Sequence, residues 1–152
     1  MKVLMSLLLV AVTATPCLAD IAKHNPGNLV KTASLWEGQV KNPGRFIAFK
    51  DSHHGLRALA IVLLRYERRH GMTTVQQVVN RFAPAHENNS KRYAEFVADE
   101  LGVDVDDNIN LCAYGMEIMK AIIRMENGCQ PYSDEELYAA MVAGINYVHE
   151  NP

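Results

Sequence analysis

The chain has 152 residues and a formal net charge of −2 at pH 7, with 49% hydrophobic and 21% charged residues. This length and composition fit a single globular domain and exclude an intrinsically disordered chain. The small acidic excess argues against a nucleic-acid partner, since general nucleic-acid binders usually carry a basic surplus. Three cysteines are too few for a metal cluster built from many thiolates.

The N-terminus has the features of an export signal. Lys2 precedes an apolar run over residues 3–12, which is too short to cross a bilayer as an ordinary helix, and small residues up to Ala19 suit a cleavage site. We predict a signal peptide over residues 1–19 and one domain over residues 20–152, with a retained signal anchor as the alternative. The protein is then expected in the periplasm, outside the cell or on a virion, without stable membrane insertion after cleavage.

Two cysteines remain after the predicted cleavage, Cys112 and Cys129. An even pair in an oxidising compartment predicts a disulfide, which would close a loop of about 17 residues and contribute on the order of 3 kcal/mol. The alternative is two separate thiols.

Residues 20–50 are rich in glycine, proline and asparagine, which predicts a loop-rich segment with a turn at residues 24–28 and a short strand within residues 46–49. Apolar residues at three- and four-residue spacing then predict five helices. We expect helices over residues 55–70, 90–101, 109–126 and 133–148. The second of the five, which follows residues 55–70, is expected to be capped by Thr73 or Thr74 and ended by Pro84. The predicted fold class is a mainly α, compact domain with a small β element.

Glu126 is the first candidate for chemistry. It lies beside the apolar stripe of its predicted helix, four residues after Ile122, and in the last turn, where the helix dipole disfavours a carboxylate. Apolar neighbours and the dipole both predict a raised pKa for the carboxyl. A carboxylic acid that keeps its proton near neutrality suits general-acid cleavage of a glycosidic bond. The alternative is a solvated helix-end residue paired with an arginine.

Glu87 and Trp36 are further candidates. Glu87 precedes a predicted helix start, where a negative charge is favoured, so it suits substrate positioning or a structural role better than acid catalysis. Trp36, the only tryptophan, lies in a polar, glycine-rich loop, where it could stack on a sugar ring or fill a small core. Six histidines lack the spacing of a metal motif, so we predict no metal site and no cofactor.

An ordered series of motifs resembles a family of phage virion and lysis-associated proteins, some of which are thought to degrade peptidoglycan. The resemblance spans about residues 24–102. The motifs are Asn25-Pro26-Gly27-Asn28, Trp36-Glu37-Gly38, Phe46-Ile47-Ala48-Phe49, Gly55-Leu56-Arg57-Ala58, Thr73-Thr74-Val75, Arg81-Phe82-Ala83-Pro84, Glu87-Asn88 and Tyr93. Glu126-Asn127-Gly128 and Pro131-Tyr132-Ser133 follow the same pattern.

Residues 122–131 also resemble lytic transglycosylases of the lysozyme superfamily, which place a catalytic Glu near a helix end, although Asn127 stands where Ser is usual. Related glucosaminidases carry an Asn-rich turn and a Trp-x-Gly element after their Glu. Here both elements come before Glu126, and a circular permutation would reconcile the two orders.

The resemblance implies a lysozyme-like domain that cleaves the bond between N-acetylmuramic acid and N-acetylglucosamine in peptidoglycan strands, as a monomer. Glu126 would be the acid, and Glu87 or Glu37 could assist if water attacks instead of the muramoyl hydroxyl. The expected substrate-binding residues are Asn25, Asn28, Trp36, Asn88 and Tyr132. Two non-catalytic alternatives are a peptidoglycan-binding or structural protein of the virion or envelope, and an inhibitor of another lysozyme.

Overall fold

The computed structural model describes residues 21–84 and 89–152, and it is mainly helical, as predicted. A 3-10 turn over Ala22–His24 precedes a two-stranded antiparallel sheet, in which Gln39 pairs with Phe49 and Val40 with Ala48. The elements that follow it in the chain are all helices. The strands and helices are β1 (Gln39–Val40), β2 (Ala48–Phe49), α1 (Ser52–His70), α2 (Val75–Phe82), α3 (Ser90–Leu101), α4 (Leu111–Asn127) and α5 (Asp134–Glu150).

Side-chain caps fix where these helices begin. Each N-cap side chain accepts a hydrogen bond from a backbone N–H of the first turn, which satisfies a donor that has no partner within the helix. Asp51 caps α1, which starts at Ser52, three residues before the predicted start, and Thr74 rather than Thr73 caps α2. Asn110 caps α4, so that helix starts at Leu111 instead of residue 109. A capping box begins α5, with Ser133 as the cap.

The core forms around α1, most of whose middle residues are buried. Leu59 and Ile61 have no exposed surface, and α5 is the main packing partner of α1. Gly144 permits this close approach, because a Cβ atom there would lie 3.0 Å from the Cβ of Ala60 and 3.1 Å from Leu64 Cδ1. Helices α2, α3 and α4 complete the packing, since α3 contacts both α2 and α4.

The start of α1 holds the N-terminal turn in place. A Cβ atom on Gly55 would lie only 1.9 Å from the carbonyl oxygen of His24, so the backbone of the turn rests directly on the helix. The turn is closed by a 3.0 Å hydrogen bond from the backbone N–H of Asn28 to the carbonyl of Asn25, as the sequence predicts. The loop-rich segment is therefore fixed against the helical core.

The predicted disulfide between Cys112 and Cys129 is wrong. Cys112 is an exposed, free cysteine in the first turn of α4, whereas Cys129 follows the end of that helix. The length of the helix puts the two on the order of 20 Å apart, and a disulfide requires Cα atoms closer than about 7 Å. The even number of cysteines suggested a pair, but the intervening residues form a helix that keeps the two apart.

The predicted signal peptide lies outside the described residues. Within residues 21–84 and 89–152, no helix combines the length and apolar character needed to span a membrane.

We predict that Gly144→Val destabilises the fold by about 2 kcal/mol, because the added methyl groups would overlap Ala60 and Leu64 in the interface between α1 and α5. Ala139→Val, at an exposed position of α5, is the matched control and should cost no more than about 0.5 kcal/mol. Urea denaturation followed by circular dichroism measures both values. Equal effects of the two substitutions would contradict the close packing of these helices.

Candidate functional site

A cavity of about 630 Å³ lies between the N-terminal loops and the helices. Several of the predicted site residues line it, among them Asn28, Trp36 and Glu126. Apolar and aromatic side chains form much of the remaining wall, together with two arginines. Those side chains are Leu29, Val30, Phe46, Val62, Tyr66, Phe82, Ala83 and Pro84, with Arg45 and Arg81 as the arginines.

Two hydrogen bonds hold the Glu126 carboxylate at the wall of this cavity. The side-chain amide of Asn28 donates to Oε2 at 2.8 Å, and the Tyr93 hydroxyl donates to Oε1 at 3.0 Å. Glu126 is half-buried in the last turn of α4, so its carboxyl group is fixed and still faces the cavity. The three residues come from three separate parts of the chain, which makes this a site built by the tertiary fold.

The turn at residues 25–28 positions Asn28. Its backbone is left-handed, with φ of 49°, a conformation that asparagine tolerates better than most residues other than glycine. Asn127, next to Glu126 in the chain, donates from its side-chain amide to the carbonyl of Pro26 at 2.8 Å. The turn is thus attached to the end of α4 at two adjacent points.

Asn25 is a structural residue, which corrects its expected role in substrate binding. Only 1% of its surface is exposed. Its side-chain amide donates to the carbonyls of Leu29 and Ile47, and its side-chain oxygen accepts from the backbone N–H of Leu29. These bonds join the turn to the strand region and leave the side chain no access to a ligand.

Tyr93 belongs to the site, although the sequence marks it only as one of the motif residues of the family resemblance. Burial raises the pKa of its phenol well above the ordinary value, and the neighbouring Glu126 carboxylate raises it further. The hydroxyl therefore stays protonated and donates its hydrogen bond. A signal was present in the sequence, because a tyrosine on a buried helix face needs a partner for its hydroxyl.

Trp36 is supported from outside the cavity. The guanidinium of Arg65 lies 5.8 Å from the Trp36 ring centroid, and the same side chain donates to the Tyr147 hydroxyl at 3.1 Å. Arg65 is absent from the cavity wall, whereas Trp36 forms part of it. A cation–π contact thus links the tryptophan to α1 and, through Tyr147, to α5.

Glu37 does not line the cavity, although it follows Trp36 in the chain. Its carboxylate pairs with the Arg57 guanidinium at 3.1 Å and lies 3.9 Å from Nε2 of His54. These contacts hold the loop of residues 36–38 against α1. Glu37 therefore supports the Trp36 loop. Its position outside the cavity wall does not support the expected role in catalysis.

Tyr132 is also absent from the cavity wall. It packs against the core as a partly buried side chain, and burial raises the pKa of its phenol to about 12. The other two expected site residues, Glu87 and Asn88, lie outside the described residues. Pro84, the last described residue before them, is part of the cavity wall.

The described ranges contain no group of three or more histidine, cysteine, aspartate or glutamate side chains that could hold a metal ion. The chemical groups that the cavity offers are one carboxylate with two fixed donors, aromatic faces and two guanidinium groups. Such a set can bind a polar ligand with apolar ring faces and can transfer a proton at one point.

Comparison with known proteins places the chain among phage proteins. No protein-family model matches it. Protein P5 of Pseudoalteromonas phage PM2 is 31% identical over 122 residues, which cover 77% of this chain and 76% of that protein. The chain belongs to the same family as this phage protein, and the similarity supports a phage origin.

We predict that Tyr93→Phe reduces the loss of stability at high pH. In the unfolded chain a tyrosine ionises near pH 10, whereas in the folded protein Tyr93 keeps its proton above that value. Ionisation therefore favours the unfolded state as the pH rises. It lowers the free energy of unfolding by about 2 kcal/mol between pH 10 and pH 12.

Phenylalanine cannot ionise, so the variant should lack this part of the alkaline destabilisation in urea denaturation at pH 8 and pH 12. Tyr138→Phe, which changes a tyrosine that is 63% exposed, is the control and should keep the wild-type pH dependence. A Tyr93→Phe variant with the same alkaline slope as the wild type would contradict the burial of this hydroxyl.

Proposed function

We propose that the protein is a peptidoglycan-cleaving enzyme with Glu126 as its general acid. The observation that carries this proposal is the Glu126 carboxylate, held by Asn28 and Tyr93 at the wall of a cavity that also contains Trp36. An acid with a fixed orientation can protonate a glycosidic oxygen without first losing side-chain freedom. The resemblance of residues 122–131 to lytic transglycosylases supports the same residue, as an analogy.

The aromatic wall supports a sugar ligand. Trp36, Phe46 and Tyr66 line the cavity, and aromatic rings can stack on the apolar faces of pyranose rings. Arg65 supports Trp36 from behind, which lowers the entropy lost when the ring meets a sugar. Asn28 keeps a side-chain oxygen, which could accept a hydrogen bond from a glycan amide or hydroxyl group.

The proposed reaction needs one carboxyl group. Glu126 gives its proton to the glycosidic oxygen as the bond from that oxygen to the muramoyl C1 breaks. The resulting carboxylate accepts the proton of the muramoyl C6 hydroxyl as that oxygen bonds to C1. An anhydro ring forms, and Glu126 regains its proton.

Glu126 is the one carboxylate among the described residues of the cavity wall, and the transglycosylase route needs no other. Hydrolysis by water usually employs a second carboxylate, and Glu87 is the residue we would test for that role. We also propose that residues 1–19 direct export to the compartment where peptidoglycan lies.

A non-catalytic, glycan-binding function is the second candidate. It is favoured by the bonds of the carboxylate itself, since Asn28 and Tyr93 join three parts of the fold through Glu126. A carboxylate in such a network can be structural. The two candidates differ in whether covalent bonds of the glycan are broken.

We predict that the full-length wild-type protein releases anhydromuropeptides from purified peptidoglycan, as read by mass spectrometry, and that Glu126→Gln slows release by about 10²- to 10⁴-fold. The glutamine keeps the shape of the side chain but cannot donate and recover the proton in the same way. Glu117→Gln, at an exposed position of the same helix, is the matched control and should retain activity.

Each product pattern decides between the candidates. Reducing-end products that disappear in the Glu126→Gln variant would identify a hydrolase with the same acid. Equal activity of both proteins would place the acid elsewhere. Sedimentation of both proteins with the glycan, without release of product, would support the binding function and overturn the enzymatic one.

A further inference from the structure

Arginine side chains form part of the cavity wall in a protein whose formal net charge is negative. The chain carries a formal net charge of −2, yet the described residues of the cavity wall include two arginines and one carboxylate. That carboxylate, Glu126, already receives hydrogen bonds from two donors. A cleft with low-dielectric walls focuses the field of its charges, so a guanidinium in this wall can attract a negatively charged ligand.

Arg81 is the arginine whose contacts leave its charge available. It lies in the last turn of α2, with its guanidinium 5.9 Å from the Tyr66 ring centroid. Nη2 of Arg81 is 3.5 Å from Nε2 of His70. Within the part of the chain that the structure describes, no carboxylate lies within ion-pair distance of this guanidinium.

Other cationic side chains of the protein form ion pairs with carboxylates. Lys120 contacts Asp134 at 2.9 Å, and Arg57 contacts Glu37 at 3.1 Å, so their charges are used within the fold. Arg81 instead is held by an aromatic ring that belongs to the same cavity wall. A guanidinium placed in this way presents a planar set of donors that matches a carboxylate.

We propose that Arg81 makes the cleft selective for glycan strands that carry carboxylates over neutral glycans. Muramoyl residues bear a lactyl carboxyl group, which is either free or extended by an acidic stem peptide, whereas chitin oligosaccharides bear none. This inference rests on the proposed function, because it assigns the substrate of the same cleft. Arg81 acts here in recognition and takes no part in proton transfer.

The test compares two ligands and three variants of the full-length protein. The ligands are the neutral hexamer of N-acetylglucosamine and soluble glycan strands stripped of peptides by an amidase, which keep the lactyl carboxylates. The variants are Arg81→Gln, which removes the charge, Arg81→Lys, which retains it, and Arg68→Gln. Arg68 lies at the exposed end of α1, outside the cavity wall, so it controls for the loss of one positive charge.

We expect Arg81→Gln to weaken binding of the carboxylate-bearing strands about three- to tenfold, as measured by the intrinsic fluorescence of Trp36, the only tryptophan. Binding of the neutral hexamer should change by less than about twofold. Arg81→Lys should keep most of the wild-type preference, and Arg68→Gln all of it. The difference between the two ligands should shrink in high salt, since screening weakens an exposed ion pair.

Two results would overturn the proposal. Equal losses of affinity for the charged and the neutral ligand in Arg81→Gln would show that the arginine affects binding only by maintaining the structure of the cleft. Unchanged binding of both ligands would show that it does not contact the carboxylate. In either case a wild-type protein that still cleaves peptidoglycan leaves the proposed function standing, whereas a wild type that neither binds nor cleaves any glycan overturns both.

Discussion

The hydrogen bonds on the Glu126 carboxylate unite the architecture of this protein. Asn28 and Tyr93 reach it from positions 98 and 33 residues away in the sequence. An N-terminal turn, α3 and the end of α4 therefore meet at one functional group. Removal of the carboxylate would leave the buried Tyr93 hydroxyl without its acceptor, which is costly in a protein interior. The same contacts that stabilise the fold also shape the cavity.

The cavity wall depends on contacts that lie behind it. Trp36 rests on Arg65, which is held by Tyr147 of α5, and the adjacent Glu37 is bound by Arg57 of α1. Residues far apart in the chain thus give a glycine-rich loop a defined position without a large sheet. A site supported from two directions can present aromatic rings with little loss of entropy on binding.

Local signals in the sequence predicted the helices well. Glycines at positions 71, 102 and 128 end α1, α3 and α4, and caps at Thr74 and Ser133 start α2 and α5. These features depend on neighbours within one helical turn, so they can be recognised in the sequence. The error at Cys112 arose because the length of a helix separates two residues that are close in the chain.

The site could be predicted only in part, since its contacts are long-range. Trp36 and Glu126 were singled out by local chemistry and Asn28 by the family resemblance, and the fold places all three at one cavity. Asn25 was assigned to substrate through the resemblance, because a sequence does not reveal which side chains bond to the backbone of a turn. The bond from Tyr93 to Glu126 needs the packing of α3 on α4, which no spacing rule supplies.

We propose that a glycan is cleaved in the cavity between Glu126 and Trp36. A crystal structure of the Glu126→Gln variant with a bound peptidoglycan tetrasaccharide tests it most directly. The account predicts a sugar ring stacked on Trp36 and a glycosidic oxygen within about 3.2 Å of the side chain at position 126. A glycan bound elsewhere on the protein, or with its glycosidic oxygens turned away from that side chain, would contradict the account.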